Sequence, residues 1–244
     1  MGEKMSLPDL TIGVCTYKRP NCAIHCFEGF TSRFHYDGKI KFHIADGGSP
    51  QKDIDAYLTI LKDYDVTIDV TDNLSSMMNS CARNSGDVFI ITVDDFVINF
   101  NTVVDLSPDV RFLLAHPEVG KIRMGRLAFW SGKNFAELYN WNGLQWWVFD
   151  KARSANPYMD TIGMSLYHRR FWDTYGDVPP CSPHMPGESE LNMEERFRKK
   201  DGPTVAIPMR FGANGPHCHE PILHIGALRS DDYAEAGGSP WCAR

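Results

Sequence analysis

Residues Val88–Val93 (VFIITV) are apolar at nearly every position, and the chain turns acidic immediately after them at Asp94-Asp95. A strand without polar alternation is one covered on both faces, which places it inside a sheet flanked by helices on each side. Three similar runs precede it, at Leu10–Cys15 (LTIGVC), Lys39–Ala45 (KIKFHIA) and Val66–Val70. The segments between them carry apolar residues at helical spacing. Asn21–Phe34 reads as a helix, Ser49 or Asp53 begins another that runs to about Leu61, and Asn73–Asn84 forms a third around Leu74, Met77, Met78 and Cys81. The order β-α-β-α-β-α-β predicts an α/β fold with a mostly parallel sheet. Ligands in such sheets collect at the carboxyl ends of the strands. Those ends read Thr16–Pro20, Asp46–Ser49, Thr71–Asn73 and Asp94-Asp95, and three of the four carry carboxylates.

The second half is less regular. Pro108–Pro117 reads as a short helix, Gly120–Met124 as a strand, and Met159–His168 as a further strand candidate. Residues 127–150 are dense in aromatics, and alternation through Leu144–Phe149 suggests antiparallel strands; these rings can pack the core or stack on a ligand. A Gly/Pro-rich loop spans 176–189, Glu190–Lys200 reads as a helix with Met193 and Phe197 on its buried face, and Val205–Pro208 as a short strand. Glu194, Glu195, Arg196, Arg198, Lys199 and Lys200 are expected on the solvated face. The tail from 226 is polar and Gly-rich. No repeat or clean linker divides the chain, so one domain with a parallel first half and a mixed second half is expected.

Composition narrows the function classes. With 25 Lys+Arg against 31 Asp+Glu, the formal net charge is -6, which argues against a nonspecific polyanion binder working through bulk charge. The first ten residues, MGEKMSLPDL, do not form a signal peptide, and no apolar run is long enough to span a bilayer, so a cytoplasmic location is expected. Met1-Gly2 with Ser6 is a short match to a myristoylation pattern. The seven cysteines are scattered and suggest no disulfide framework. Cys181, His184, His217, Cys218 and His219 are residue types that can hold zinc, or they are incidental. Nothing in the sequence fixes an oligomeric state.

Val93-Asp94-Asp95-Phe96 is the strongest single chemical feature. Two adjacent carboxylates at the end of a buried strand repel, and a divalent cation such as Mg²⁺ or Mn²⁺ would offset that; alternatively one caps the next element and the other faces solvent. Asp46 in Asp46-Gly47-Gly48-Ser49 can accept from a base or ribose, or make an Asx turn. Glu190, near the start of its helix, can act as a general base; acidic residues there also suit the helix dipole. No G-x-G-x-x-G or P-loop lysine motif follows the first strand, and no Gly-x-Ser-x-Gly elbow is present.

Taken in order, these stretches resemble the GT-A glycosyltransferases, in particular the large inverting family 2-like group of polysaccharide-synthesis enzymes. Thr16-Tyr17-Lys18-Arg19-Pro20 resembles that family's opening T-Y-N-R-P loop, and Asp46–Ser49 its D-D-G-S turn. Leu74–Asn79 followed by Gly86–Ile90 resembles L-S-x-A-R-N … G-D-Y-I, and Val93–Phe96 stands where the metal-binding acidic motif belongs. Gly163–Arg170 with Gly176 resembles the acceptor-side strand and its R-R … G segment. Gly187–Arg196 resembles G-E-D-x-x-L-x-x-R, and His224-Ile225-Gly226 the late histidine of the metal shell.

The resemblance implies a nucleotide-sugar-binding half over 10–105 and an acceptor half over 106–230, with tails at 1–9 and 231–244. It implies that Thr16, Tyr17 and Arg19 line the nucleotide pocket, with Asp46 near the base or ribose. Asn79 and Asp94 would hold ribose and diphosphate. Asp95, Asp94 and His224 would hold Mn²⁺ or Mg²⁺, and Glu190, or Glu188 if the frame slips, would serve as catalytic base. The donor would be a UDP- or GDP-sugar and the acceptor a glycan, protein, small molecule or modified nucleobase. Three positions depart from the pattern: Met78 stands where that family often has Arg, Phe96 replaces a third acidic residue, and Glu replaces Asp at 190. A nucleotidyltransferase of related fold and a noncatalytic carbohydrate- or nucleic-acid-binding module are the competing readings.

Overall fold

The segment Leu10–Thr16 is buried at every residue, and its two neighbours in the sheet explain why. A computed structural model describes residues 6–99, 101–124, 137–151, 163–180, 188–211 and 222–224. Its elements run β1 (Leu10–Thr16), α1 (Pro20–Arg33), β2 (Phe34–His35), β3 (Ile40–Asp46), α2 (Gln51–Ile60), β4 (Asp65–Val70), α3 (Leu74–Arg83) and β5 (Val88–Val93). There follow β6 (Phe96–Ile98), β7 (Val104–Asp105), α4 (Ser107–Ala115), β8 (Val119–Arg123), β9 (Glu137–Trp141), β10 (Leu144–Val148), β11 (Ser165–His168), α5 (Arg169–Tyr175), α6 (Glu188–Lys199), β12 (Thr204–Pro208) and β13 (Ile222–His224).

Nine strands form one sheet in the order β4-β3-β1-β5-β11-β8-β12-β10-β9. The first four are parallel and in register, so Thr16 lies opposite Asp46, Asp46 opposite Val70, and Cys15 opposite Val93. Four strand ends thereby reach one rim at the same level. β11 runs antiparallel to β5, from Ser165 opposite Ile91 at that rim to His168 opposite Val88, while β8 and β12 run back toward the rim. The expected α/β fold with a parallel first half and a mixed second half is the fold observed.

Helices cover both faces, and each face has its own core. One contains Phe27 and Phe30 of α1, Tyr57 of α2 and Phe112 of α4. The other contains Met77 and Cys81 of α3, Phe171 and Tyr175 of α5, and Met193 and Phe197 of α6. Gly13 lets α3 approach β1, because a Cβ there would sit 2.6 Å from Cys81 Cβ. Of the described aromatics in 137–149, Trp146 and Phe149 are core residues and Tyr139 and Trp141 pack half-buried against the core; Trp146 is fully buried, stacks on Phe112 at 4.2 Å, and donates its Nε1–H to Asp109 at 2.9 Å.

Three findings differ from the sequence reading. Arg169–Tyr175 is a helix, where the sequence reading assigned no element after the strand candidate ending at His168. Its two arginines act as caps: Arg169 donates to the carbonyls of Ala82 in the last turn of α3 and Gly86 after it, and Arg170 to those of Leu113 in the last turn of α4 and His116 and Val119 after it. Such donors satisfy carbonyls that a helix end leaves orphaned. Second, α6 starts at Glu188, two residues early. Third, Glu194 is buried, not solvated, and accepts from Arg198 Nε at 2.7 Å. It occurs beside Met193 on the inward side, where a carboxylate needs a partner. Among the described residues, no helix is long and apolar enough to cross a membrane.

Candidate functional site

The rim is organised by Asp46. Its Oδ1 accepts from the backbone N–H of Gly48 at 2.7 Å and of Ser49 at 2.6 Å. Its Oδ2 accepts from Thr16 Oγ1 at 2.6 Å and from Ser49 Oγ at 2.7 Å. A carboxylate offers about four acceptor sites, so this one is fully engaged as an Asx turn, and it is buried. Gly48 takes φ 89°, a left-handed conformation that glycine adopts without strain. Gly47 is packed closely: a Cβ there would overlap the Tyr17 ring. Lys18, between Tyr17 and Arg19, is itself left-handed at φ 49°, and its N–H reaches Ser49 Oγ at 3.0 Å. The two loops are thus tied together.

Next to them lies the carboxylate pair. Asp94 is fully buried and Asp95 is 5% exposed. The Asp94 N–H donates to Cys15 O at 3.0 Å, and the Asp94 carboxylate accepts from the Tyr17 N–H at 3.3 Å. Arg19, 4% exposed, spans both: Nη1 donates to Asp95 Oδ2 at 2.9 Å and Nη2 to Asp94 Oδ1. Neither carboxylate faces solvent or caps a helix. Burial pushes the Asp94 carboxyl up to about 7; Arg19 pulls it down, Asp95 pushes it further up, and the Tyr17 N–H lowers it. β13 pairs antiparallel with β6, which puts the His224 backbone opposite Phe96, the residue after Asp95.

The raised Asp94 value fixes the sign of a pH effect. A carboxyl that titrates higher folded than unfolded stabilises the fold in full below its unfolded value near 3.8, and loses that contribution as pH rises through about 7. Urea unfolding should show wild type losing about 3 kcal/mol relative to Asp94→Asn between pH 4 and pH 7.5. A difference that is flat across this range would contradict the assignment.

The opposite wall is built by α3 and α6. α3 starts at the rim because it follows the end of β4, and Asn73 caps it by accepting from Ser76 N at 2.9 Å. Ser75, in its first turn, contacts Ser189 Oγ at 3.1 Å, and both hydroxyls donate to Pro179 O, at 2.8 and 2.9 Å. This buried knot brings the first turn of α6, with Glu188 and Glu190, to the same rim. Asn79 is spent nearby as a clamp: its Nδ2 donates to Val178 O at 3.0 Å and its Oδ1 accepts from Val178 N at 2.7 Å. Ser49, read from sequence as part of the Asp46 turn or as a helix start, does not cap α2, which begins at Gln51, but ties to Asp46, and the Ser75–Ser189 contact carries no signal in the sequence.

Thr16, Tyr17, Arg19, Asp46, Asp94 and Asp95 therefore converge, and the α6 start faces the same rim. Residues 1–5, 100, 125–136, 152–162, 181–187, 212–221 and 225–244 lie outside the described residues, and with them Phe129, Trp130, Phe135, the start of the 159–168 strand candidate, Cys181, His184, His217, Cys218, His219 and the tail from 226. A divalent cation needs several free oxygens. Among the described residues no group of three or more His, Cys, Asp or Glu converges for one, and Arg19 bridges both carboxylates. As they stand, these side chains do not fit a metal ion.

No protein-family model matches the chain, and no curated protein matches it in sequence. Solved structures match it in fold. The S. aureus TarS structure superposes with TM-score 0.58 at 9% identity, over 82% of this chain and 35% of that one. The mannosyltransferase PcManGT from Pyrobaculum calidifontis, in complex with GDP-Man and Mn²⁺, gives TM-score 0.56 at 14% identity, over 96% of this chain and 73% of that one. GalNAc-T7 with UDP, GalNAc and Mn²⁺ gives 0.54 at 11%, over 84% and 43%. The chain spans under two thirds of the length of the TarS chains it matches. Four level parallel strands, an antiparallel fifth and a second half that returns to the same rim give this chain the GT-A fold that these structures share.

Proposed function

We propose that the chain is an inverting glycosyltransferase that moves a sugar from a UDP- or GDP-sugar to an acceptor hydroxyl. The observation that carries this reading is the convergence at one rim of the Asp46 turn, the Arg19–Asp94–Asp95 cluster and the first turn of α6. Residues 10–105 would bind the nucleotide, with the Tyr17 ring and the Gly47–Ser49 backbone facing base and ribose. Asp46 and Thr16 would act through the turn they hold, since their polar atoms are already engaged. Residues 106–230 would bind the acceptor: a glycan, protein, small molecule or modified nucleobase.

Glu190 would take the proton from the acceptor hydroxyl. The acceptor oxygen would then bond to the anomeric carbon from the face opposite the diphosphate, and the bond from that carbon to the diphosphate oxygen would break, releasing the nucleoside diphosphate. Two of the similar structures hold Mn²⁺, and Mn²⁺ or Mg²⁺ dependence belongs to the same reading. No step is assigned to the ion, because the carboxylates that would take it hold Arg19.

The test is a panel of UDP- and GDP-sugars with Mn²⁺ or Mg²⁺, scored for donor binding, slow donor hydrolysis and transfer. Release of UDP or GDP from at least one donor is expected. A folded protein that neither binds nor turns over any donor would overturn the proposal, and release of pyrophosphate from a nucleoside triphosphate would move it to nucleotidyl transfer.

A further inference from the structure

The carboxylate pair already contains a cation. Arg19 is held in place from three sides. Pro20 opens α1 immediately after it, its own carbonyl accepts from Ala23 N at 3.1 Å, and the loop before it is pinned through Tyr17 N to Asp94 and through Lys18 N to Ser49. From there the guanidinium fork meets Asp94 with one nitrogen and Asp95 with the other. A guanidinium is planar, permanently charged and weakly hydrated, so it suits a buried two-carboxylate site better than an ammonium would. The three side chains together are almost fully buried. A metal ion held by the same two carboxylates would need the oxygens that Arg19 now binds. Displaced, Arg19 would have to find another anion or reach water.

We propose that Arg19 is the built-in cation of Asp94 and Asp95 and competes with divalent metal for them, so the nucleotide-free chain takes up Mn²⁺ only through the minority of molecules in which Arg19 has turned away. Apparent affinity falls by the fraction of molecules that are binding-competent, so a closed arrangement favoured a hundredfold weakens it about a hundredfold. The inference concerns the site of the proposed function but stands without it, because competition between Arg19 and metal needs no sugar transfer.

Titration of the intact chain with Mn²⁺, following free Mn²⁺ by electron paramagnetic resonance without nucleotide, tests it. Arg19→Gln should bind Mn²⁺ at least about tenfold more tightly than wild type, and the gain should vanish in the Arg19→Gln/Asp95→Asn double variant. Arg19→Lys should fall between, since one ammonium cannot match the two-pronged contact. It keeps a charge on the pair and serves alone should Arg19→Gln fail to fold. Equal affinity in wild type and these variants, or a gain that survives Asp95→Asn, would overturn the inference. A chain that shows the competition yet is silent across the donor panel would retain Arg19's role and lose the transferase reading.

Discussion

Glu190→Gln is expected to reduce sugar transfer by about 10²- to 10⁴-fold, the contribution of a positioned general base, while leaving donor affinity unchanged. The split follows from placement. Glu190 is in the first turn of α6, and that turn is fixed by the Ser189–Ser75–Pro179 knot on the α3 side of the rim. The loops carrying Arg19, Asp46 and Asp94 lie at the strand ends and make their own contacts. Glutamine keeps the shape of the side chain and one acceptor oxygen but cannot take a proton, and the α6 anchor is made by Ser189, so that anchor and the fold should survive. Glu188→Gln is the control and should change transfer by less than about threefold, a loss far below that of a lost base. If the two variants behave in reverse, Glu188 is the base. If neither loses transfer, the base lies outside α6. The measurement is single-turnover transfer beside donor binding by calorimetry, because only the pair separates a lost proton acceptor from a disturbed pocket.

How far the sequence could be read depended on the range of the forces involved. β1, β3 and β5 were legible because each holds a short apolar run ended by polar or glycine residues, β4 because DVTIDV is a β-branched alternation, and α3 because Asn73 and Asn84 bracket a helical spacing. These signals are local. The α5 segment RRFWDTY was not, since aromatic and β-branched residues favour a helix weakly; it is helical because Phe171 and Tyr175 pack on Phe197 and its arginines meet two carbonyl clusters far away in sequence. β2, β6, β7 and β13 are two or three residues long and exist through partners such as Phe34 with Val104 and His224 with Phe96. The same limit applied at the site. The strand ends correctly gathered Thr16, Asp46, Asp94 and Asp95, but adjacent carboxylates in a sequence imply a cation without saying which. That Arg19 supplies it, and that Asn79 turns to Val178, are facts of packing. Glu194 failed for a related reason: its neighbours in sequence are charged, whereas its neighbours in space are the buried side of α6.

Asp46→Ala should be the most damaging single change at the rim to stability, costing about 5 kcal/mol. Hydrogen bonds to a charged acceptor contribute about 1.5–3 kcal/mol each, and the four here share one carboxylate, so they do not add in full. The loss exceeds the missing bonds at one point, because the buried Thr16 hydroxyl loses its acceptor, whereas the N–H groups of exposed Gly48 and half-buried Ser49 can turn to water. A domain of ordinary stability, about 5–15 kcal/mol, would be left marginal or unfolded. Asp46→Asn separates the causes. Its amide oxygen can still accept from the two backbone N–H groups, and its amide nitrogen can donate to the Thr16 and Ser49 hydroxyls, which can turn to accept. It should cost about 1–2 kcal/mol. Urea unfolding with an unchanged m-value would report both. Should Asp46→Ala cost under about 1 kcal/mol, the turn is not what holds the rim. Should Asp46→Asn be as harmful as Asp46→Ala, the negative charge itself matters there, and Asp46 would be a binding group and not the buckle that its geometry describes.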